Sequence, residues 1–244
     1  MTRSAASPIS HRFATLGSTN DELRRLAEAG ARHGAAVLAG EQTAGRGRRG
    51  RGWYSPVGNL HLSVLLDRGP NPARSSELAF VAAVSLRETL AAIAPRARFT
   101  CKWPNDILAE GAKVAGMLLE AQPPFVILGT GVNVVAAPPP DAVQYKAISL
   151  AALGCAIDAD ALADRFFLAL MARHRQWADE GFAPIRSLWL AHASGVGEAV
   201  TVRLADASML EGRFGGLDDA GALLLDTPDG GRRPILAGDV FFAA

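Results

Sequence analysis

Between residues 13 and 193 the hydrophobic positions gather into runs long enough for buried strands and helices. Beyond Ser194 they come in short alternating pieces. Residues 1–12 show neither pattern and read as a frayed start. Thr19 followed by Glu22 has capping-box spacing, which predicts a helix to about Ala29, stopped by Gly30. Residues 35–40 predict a short buried strand and residues 59–66 a second with partial alternation. Residues 75–93 are nearly apolar throughout, so they predict a largely buried helix, ended by Pro95. Strand-like residues 98–103 and 107–108 bracket a turn at Pro104-Asn105-Asp106, and residues 113–120 and 125–134 complete a set of hairpin-spaced strands.

Residues 136–146 are Pro-rich and irregular, a candidate lid. Ser149 caps a short helix, Asp158 opens a longer one toward Trp177, and residues 182–193 form a third. After Ser194, residues 198–204, 209–215, 222–225 and 233–236 are short strands joined by turns such as Asp218-Asp219 and Asp229-Gly230-Gly231. The pattern therefore predicts an α/β unit with a mixed sheet over residues 1–194 and a small closed β-barrel over residues 195–244.

Composition narrows the class. With 49% hydrophobic residues in 244, the chain has ample material for a core. A formal charge of +1 speaks against a duplex-DNA or membrane-surface binder, which would carry a broader positive excess. Cys101 and Cys155 lack metal-ligand spacing and are too few for a disulfide framework, so they read as reduced thiols and no protein-held metal is expected. No signal-peptide or membrane-spanning run is present, and the expected location is the cytoplasm.

Against that balanced background stands Gly45-Arg46-Gly47-Arg48-Arg49-Gly50-Arg51-Gly52-Trp53-Tyr54-Ser55-Pro56. Glycine lets backbone approach a ligand closely, and arginine offers a charged fork suited to carboxylate or phosphate. By itself the stretch fits a flexible basic loop or an Arg-rich nucleic-acid patch better than a dedicated ligand site. Ser18, Thr19 and Asn20 sit at a helix start, where free N–H groups bind polar atoms or are simply capped. The strand pattern also places Lys102, Asp106, Lys113 and Asn133 at or near strand ends, where ligand-binding groups collect. Lone His61 reads as structural.

Taken in order, the glycine-arginine loop through Trp53, then Lys102-Trp103-Pro104-Asn105-Asp106-Ile107, residues 113–120 and Gly129-Thr130-Gly131-Val132-Asn133 resemble the motifs of biotin protein ligases. Ser18-Thr19-Asn20 stands at the family's first biotin-binding segment, and residues 216–225 resemble its terminal SH3-like barrel. The resemblance implies a mixed-sheet catalytic domain of the biotin/lipoate ligase type. It implies a two-step reaction: biotin and ATP, assisted by Mg²⁺, give biotinyl-5′-AMP. A lysine of the biotin carboxyl carrier protein of acetyl-CoA carboxylase then takes the biotinyl group.

By the same resemblance, Ser18, Thr19, Asn20, Gln42, Gly45, Arg46, Gly47, Arg48, Trp53, Lys113 and Gly116 bind biotin. Arg46, Arg48, Arg51, Trp53, Lys102, Asn105 and Asn133 meet the nucleotide. Lys113 and Arg48 serve the chemistry, and Asp106 either orients and deprotonates the incoming amine or simply closes its turn.

Many bacterial relatives carry an N-terminal DNA-binding domain. Here the catalytic pattern begins near Phe13, so sequence-specific DNA binding is not expected. Where some relatives have a lid aromatic, this chain has Ala147 with Tyr145 nearby, and no basic residue follows Arg233 to give the barrel a late cationic contact. Lipoate ligases and octanoyl transferases of the same fold, a non-catalytic biotin or nucleotide sensor, and an Arg-rich RNA binder are the competing readings. Relatives occur as monomers and as homodimers, and both remain open.

Overall fold

The computed structural model describes residues 8, 9, 11–143 and 145–242. Most of the frayed start, residues 1–7 and 10, and Gln144 of the candidate lid lie outside the described residues. The chain runs β1 (His11–Leu16), α1 (Thr19–Glu28), β2 (Ala36–Gln42), β3 (Leu60–Asp67), α2 (Glu77–Ile93), β4 (Phe99–Lys102), β5 (Asp106–Ala109), β6 (Ala112–Gln122) and β7 (Phe125–Val132). Then come α3 (Ala159–Glu180), α4 (Phe182–Ala191), β8 (Ala199–Arg203), β9 (Met209–Leu217), β10 (Leu223–Asp226), β11 (Arg232–Ile235) and β12 (Asp239–Phe242).

The first seven strands form one mixed sheet in the order β1-β2-β3-β7-β6-β5-β4, with β1 and β2 parallel and the other pairs antiparallel. A parallel pair cannot be closed by a tight turn, and α1 supplies the crossover. Side-chain alternation divides the sheet's two faces. Val37, Leu65 and Ile127 meet Leu23 of α1, while Leu38, Leu62, Leu66 and Leu128 face the larger core beneath α2 and α3. α2 is apolar on nearly every side because it is covered by the sheet and by α3 and α4. Phe80 packs edge-on against Phe182 and Trp189 at ring distances of 5.3 and 5.4 Å.

The last five strands form an antiparallel sheet in the order β11-β10-β9-β8-β12. This is the barrel-type C-terminal unit expected from sequence, though β11 and β12 end the ladder without pairing to each other. It shares one hydrophobic core with the first sheet through Phe214, Leu217 and Val240. Trp103 Nε1 donates to Gly221 O at 3.1 Å across the junction.

Four local expectations need correction. The capping box does not form: Ser18 holds the N-cap position without a side-chain cap bond, Thr19 is already helical, and Glu22 pairs with Arg25. Thr19 is instead drawn to Gln42, as described below. A strand already starts at His11, inside the stretch read as frayed, because β2 offers it a partner. Asp106 is not a turn residue but the first residue of β5, paired with Lys102. Strand β12 was not foreseen, since Asp239-Val240-Phe241-Phe242 is too short to declare its own alternation.

Candidate active site

A cavity of about 500 Å³ opens on the α1 side of the large sheet, roofed by the glycine-arginine loop and walled by the C-terminal sheet. Its inner end is polar but uncharged. Ser18, Thr19 and Asn20 are buried there because α1 starts at the sheet surface. Thr19 donates to Gln42 Oε1 from its backbone N–H at 2.9 Å, and its hydroxyl lies 3.0 Å from the same oxygen. Gln42 Nε2 donates to Ser55 Oγ at 3.1 Å, and Ser55 donates to Trp53 O at 3.0 Å. Thus the cradle is tied to the loop that covers it.

The loop is folded back on itself. Trp53 N donates to Gly45 O at 2.9 Å, Gly47 N donates to Arg51 O at 2.7 Å, and Arg46 bridges to Gly52. Arg49, at φ 57, turns the chain in a conformation that non-glycine residues seldom adopt, and such strain concentrates at functional loops. The turn gathers three arginines on one carboxylate. Asp239 of β12 lies 3.7 Å from Arg48 Nη1, 3.3 Å from Arg49 Nη1 and 3.2 Å from Arg51 Nη2, and Arg203 of β8 joins at 3.1 Å. Four guanidinium groups around one carboxylate leave an excess of three positive charges.

Burial alone would raise the Asp239 pKa. The hydrogen bond from Arg203 and the charges of Arg51, Arg49 and Arg48 overcome that and hold it below the ordinary carboxylate value. Burial pulls the Arg48 and Lys102 pKa values down, the mark of cations held partly out of water. Arg48 Nη1 also donates to Asn105 Oδ1 and Gly238 O, each at 3.3 Å. Lys102 stands 5.4 Å from the Phe242 ring. This end of the cavity favours a polyanion.

Lys113 lies between the two ends. Its Nζ is 2.8 Å from Asp106 Oδ1, 5.3 Å from the Trp53 ring and 4.9 Å from that of Tyr145. The lid returns along the same strand: Lys113 N donates to Lys146 O, and Ile148 N donates to Lys113 O. Gly116 and Gly131 form the bed of Trp53. A Cβ on Gly116 would come within 3.1 Å of the indole, and one on Gly131 would overlap it.

Ser18, Thr19, Asn20, Gln42, Arg46, Gly47, Arg48, Arg51, Trp53, Lys102, Asn105, Asp106, Lys113 and Gly116 all line this cavity. Three of the predicted site residues are placed differently. Arg46 is not a free cation: its guanidinium is bonded to both oxygens of Asp21 at 2.8 and 2.7 Å and to Glu120 at 2.9 and 3.0 Å. It latches the loop to α1 and β6, and those bonds raise its pKa further. Gly45 does not line the cavity but packs on Gln42 and Ser55, where a Cβ would collide. Asn133 is buried below it, donating to Ile148 O at 3.2 Å and Lys113 O at 3.4 Å, so it staples the lid instead of facing a nucleotide.

Asp239 and Arg203 escaped the sequence reading. Nothing local marks an aspartate opening a four-residue strand, or an arginine within another, as part of a loop far away in sequence. Although no basic residue follows Arg233, the C-terminal sheet does present a cation to the cavity, from Arg203.

Comparison with known proteins agrees with the geometry. The model of the biotin/lipoate A/B protein ligase family matches residues 13–134, and that of the biotin protein ligase C-terminal domain matches residues 195–243. The chain is 41% identical over 240 residues to a biotin–(acetyl-CoA-carboxylase) ligase of Paracoccus denitrificans, covering 94% of this chain and 99% of that one. It is 38% identical to the ligase of the same name from Mycobacterium tuberculosis, covering 93% and 86%. The structure of the Aquifex aeolicus biotin protein ligase in complex with biotin and ATP superposes with a TM-score of 0.82 at 27% identity, covering 95% of this chain and 97% of that one. By fold, motif order and these matches, the chain belongs to the biotin/lipoate A/B protein ligase family.

Proposed function

We propose that this protein is an ATP-dependent ligase that activates biotin as biotinyl-5′-AMP and transfers it to a lysine of the biotin carboxyl carrier protein of acetyl-CoA carboxylase. The observation that carries this reading is the division of the cavity. An uncharged hydrogen-bonding cradle at Thr19, Asn20 and Gln42 lies at one end and a cluster of arginines at the other, with Lys113 between them. Biotin has a neutral ureido ring, an apolar chain and a carboxylate, and ATP brings the polyanion.

In the first step a carboxylate oxygen of biotin attacks the α-phosphorus, and the bond to the β-phosphate bridging oxygen breaks, releasing pyrophosphate. Two anions must meet, so positive groups fixed in a water-poor site lower the barrier. Lys113 stands where the carboxylate and the α-phosphate join, and Arg48, Arg51 and Arg203 neutralise the departing phosphates. In the second step the amine of the carrier lysine attacks the acyl carbon, the acyl–phosphate bond breaks, and AMP leaves. Asp106, 2.8 Å from Lys113 Nζ, accepts the proton lost by the amine.

Mg²⁺ is best placed as a companion of the triphosphate. The carboxylates at the cavity, Asp106 and Asp239, are paired to cations, and among the described residues no three His, Cys, Asp or Glu side chains gather to hold a metal. No step here depends on a metal held by the protein itself. No described helix is long and apolar enough to cross a membrane, and a cytoplasmic setting suits an ATP-using enzyme with two free thiols.

A lipoate or octanoate ligase is the second reading, and the polar cradle argues against it, because neither acid has a head group to satisfy those hydrogen-bonding side chains. Exchange of labelled pyrophosphate into ATP tests both. Biotin should support it in the wild type and not in Lys113→Ala. Exchange with lipoate or octanoate alone would move the chain to the sister reaction, and exchange with no acid would sink the ligase reading.

A further inference from the structure

Strand β3 runs one step further than β2 can follow. The last rungs between them are Leu65 N donating to Ala35 O and Gly34 N donating to Leu65 O, each at 2.8 Å. Along a strand, alternate residues turn their backbone groups to the same neighbour, so the N–H and C=O of Asp67 also point to the β2 side. There the chain has left the sheet, and two histidines take the place of the missing strand. Asp67 N donates to His33 Nδ1 at 3.1 Å, and His174 Nε2 lies 2.7 Å from Asp67 O. His33 comes from the connection between α1 and β2, and His174 is buried on α3.

These two contacts fix the protons on both rings. A backbone N–H can only donate, so His33 Nδ1 carries no proton, and the neutral ring holds its proton on Nε2. A carbonyl can only accept, so His174 Nε2 carries one. A proton added to His33 Nδ1 would set N–H against N–H and break the bond to Asp67. The rings also lie together, with centroids 4.4 Å apart and a tilt of 33°, so charge on one opposes charge on the other. Burial and then His174 lower the His33 pKa, and they outweigh the Asp67 carboxylate and the Leu65 carbonyl, which favour the charged ring.

The connection after β3 is tied to α3 through the same cluster. Asp67 Oδ1 accepts from Gly69 N at 2.8 Å. At the far end, Trp177 Nε1 donates to Glu77 at 2.6 Å, and Arg74 pairs with Glu77 at 2.9 Å. Arg74 lies over the Trp177 ring, which packs 5.4 Å from that of His174. The charged groups facing the two histidines are therefore Asp67 and, beyond Trp177, the mutually paired Arg74 and Glu77. Arg68, Pro72, Ser75 and Ser76 of this connection line a second cavity of about 640 Å³, which shares Arg48, Trp103 and Asn105 with the first.

We propose that His33 and His174 form an acid-sensitive clasp: a proton on His33 Nδ1 releases Asp67 and loosens residues 68–76 from α3, opening one wall of the second cavity. The clasp is independent of the ligase reading. Because the folded His33 value lies below the ordinary 6.5, the unfolded chain binds more protons there. The clasp is then complete above 6.5 and is lost as pH falls through the folded value.

The test joins two measurements on the full chain. Nitrogen-15 NMR of the histidine rings should show His33 neutral near pH 8 with its proton on Nε2, taking up a second proton only below 6.5. Amide exchange over residues 68–76, corrected for its intrinsic pH dependence, should reveal about tenfold more opening in the wild type near pH 5 than near pH 8. In His33→Asn, whose Oδ1 accepts from Asp67 N without titrating, that increase should vanish. His11, His61, His174 and His192 remain in the variant, so their own titrations cancel in the comparison. An equal increase in the two proteins would overturn the proposal. So would a proton on His33 Nδ1 near pH 8, which is read on the wild type and decides even if His33→Asn does not fold.

Discussion

Arg48 and Asp239 face each other from opposite ends of the chain, Nη1 to Oδ1 at 3.7 Å, and Arg49, Arg51 and Arg203 crowd the same carboxylate. The C-terminal sheet thus holds the loop that roofs the cavity. Replacing Asp239 by Asn should leave the arginines repelling one another. Trypsin should then cut between Arg48 and Arg51 faster than in the wild type, and ATP or pyrophosphate should restore protection by taking the place of the carboxylate. Equal cleavage in the two proteins would count against this coupling.

The same carboxylate makes a pH prediction. Its folded pKa is depressed, so its contribution to stability is complete above the unfolded value, about 3.9 for Asp, and is lost as pH falls through the folded value. The Tm difference between wild type and Asp239→Asn should therefore be full near neutrality and close in acid below about pH 4. A difference that stays constant down to pH 2 would contradict the assignment.

Lys113 and Asp106 should separate the two half-reactions. Lys113→Ala is expected to lower pyrophosphate exchange by about 100-fold or more, as removal of a fixed charge from an acyl-transfer site does. Asp106→Asn should leave exchange within several-fold but slow transfer from preformed adenylate to the carrier by about 100-fold. Single-turnover measurements distinguish these outcomes, and equal loss of both steps in Asp106→Asn would make Asp106 chiefly a support for Lys113.

Gly131 lies under the Trp53 indole with no room for a Cβ. Gly131→Ala should displace the ring, costing about 1 to 3 kcal/mol of stability through overpacking. It should raise the KM for biotin and change the effect of biotin on tryptophan fluorescence. A variant indistinguishable from wild type in all three would mean that Trp53 does not rest there.

Asn59 fixes the start of the lid. Its Oδ1 accepts from Val134 N, Val135 N and Ala136 N at 2.9, 3.0 and 3.1 Å, and its Nδ2 donates to Ala136 O at 2.8 Å. Asn59→Ala leaves four backbone groups without this partner, the buried Val134 N–H among them, and should cost about 1 to 3 kcal/mol. Chemical denaturation would measure it, and a loss below about 0.5 kcal/mol would show that water replaces the side chain.

Much of this could be read from sequence because it is local or periodic. The apolar run of α2, the strand pair β6 and β7 and the alternating C-terminal pieces each carry their own pattern, and the glycine-arginine loop with Lys113 stands out by composition and motif order. These determined the fold class, the family and most of the cavity wall. Other features depend on which groups meet. Thr19 and Glu22 have capping-box spacing, but Gln42 lies nearer to Thr19 in the folded chain and takes its hydrogen bonds. Arg46 and Arg48 look alike in sequence. Asp21 and Glu120 neutralise the first, whereas the second shares one carboxylate with three other arginines, which leaves that cluster with an excess of positive charge. Asn133 looked like a strand-end ligand, yet the lid consumed its amide. Charge neutralisation and hydrogen-bond satisfaction are settled by neighbours in space, so only the tertiary structure could decide which polar groups were used up in holding the site and which were left for the substrate.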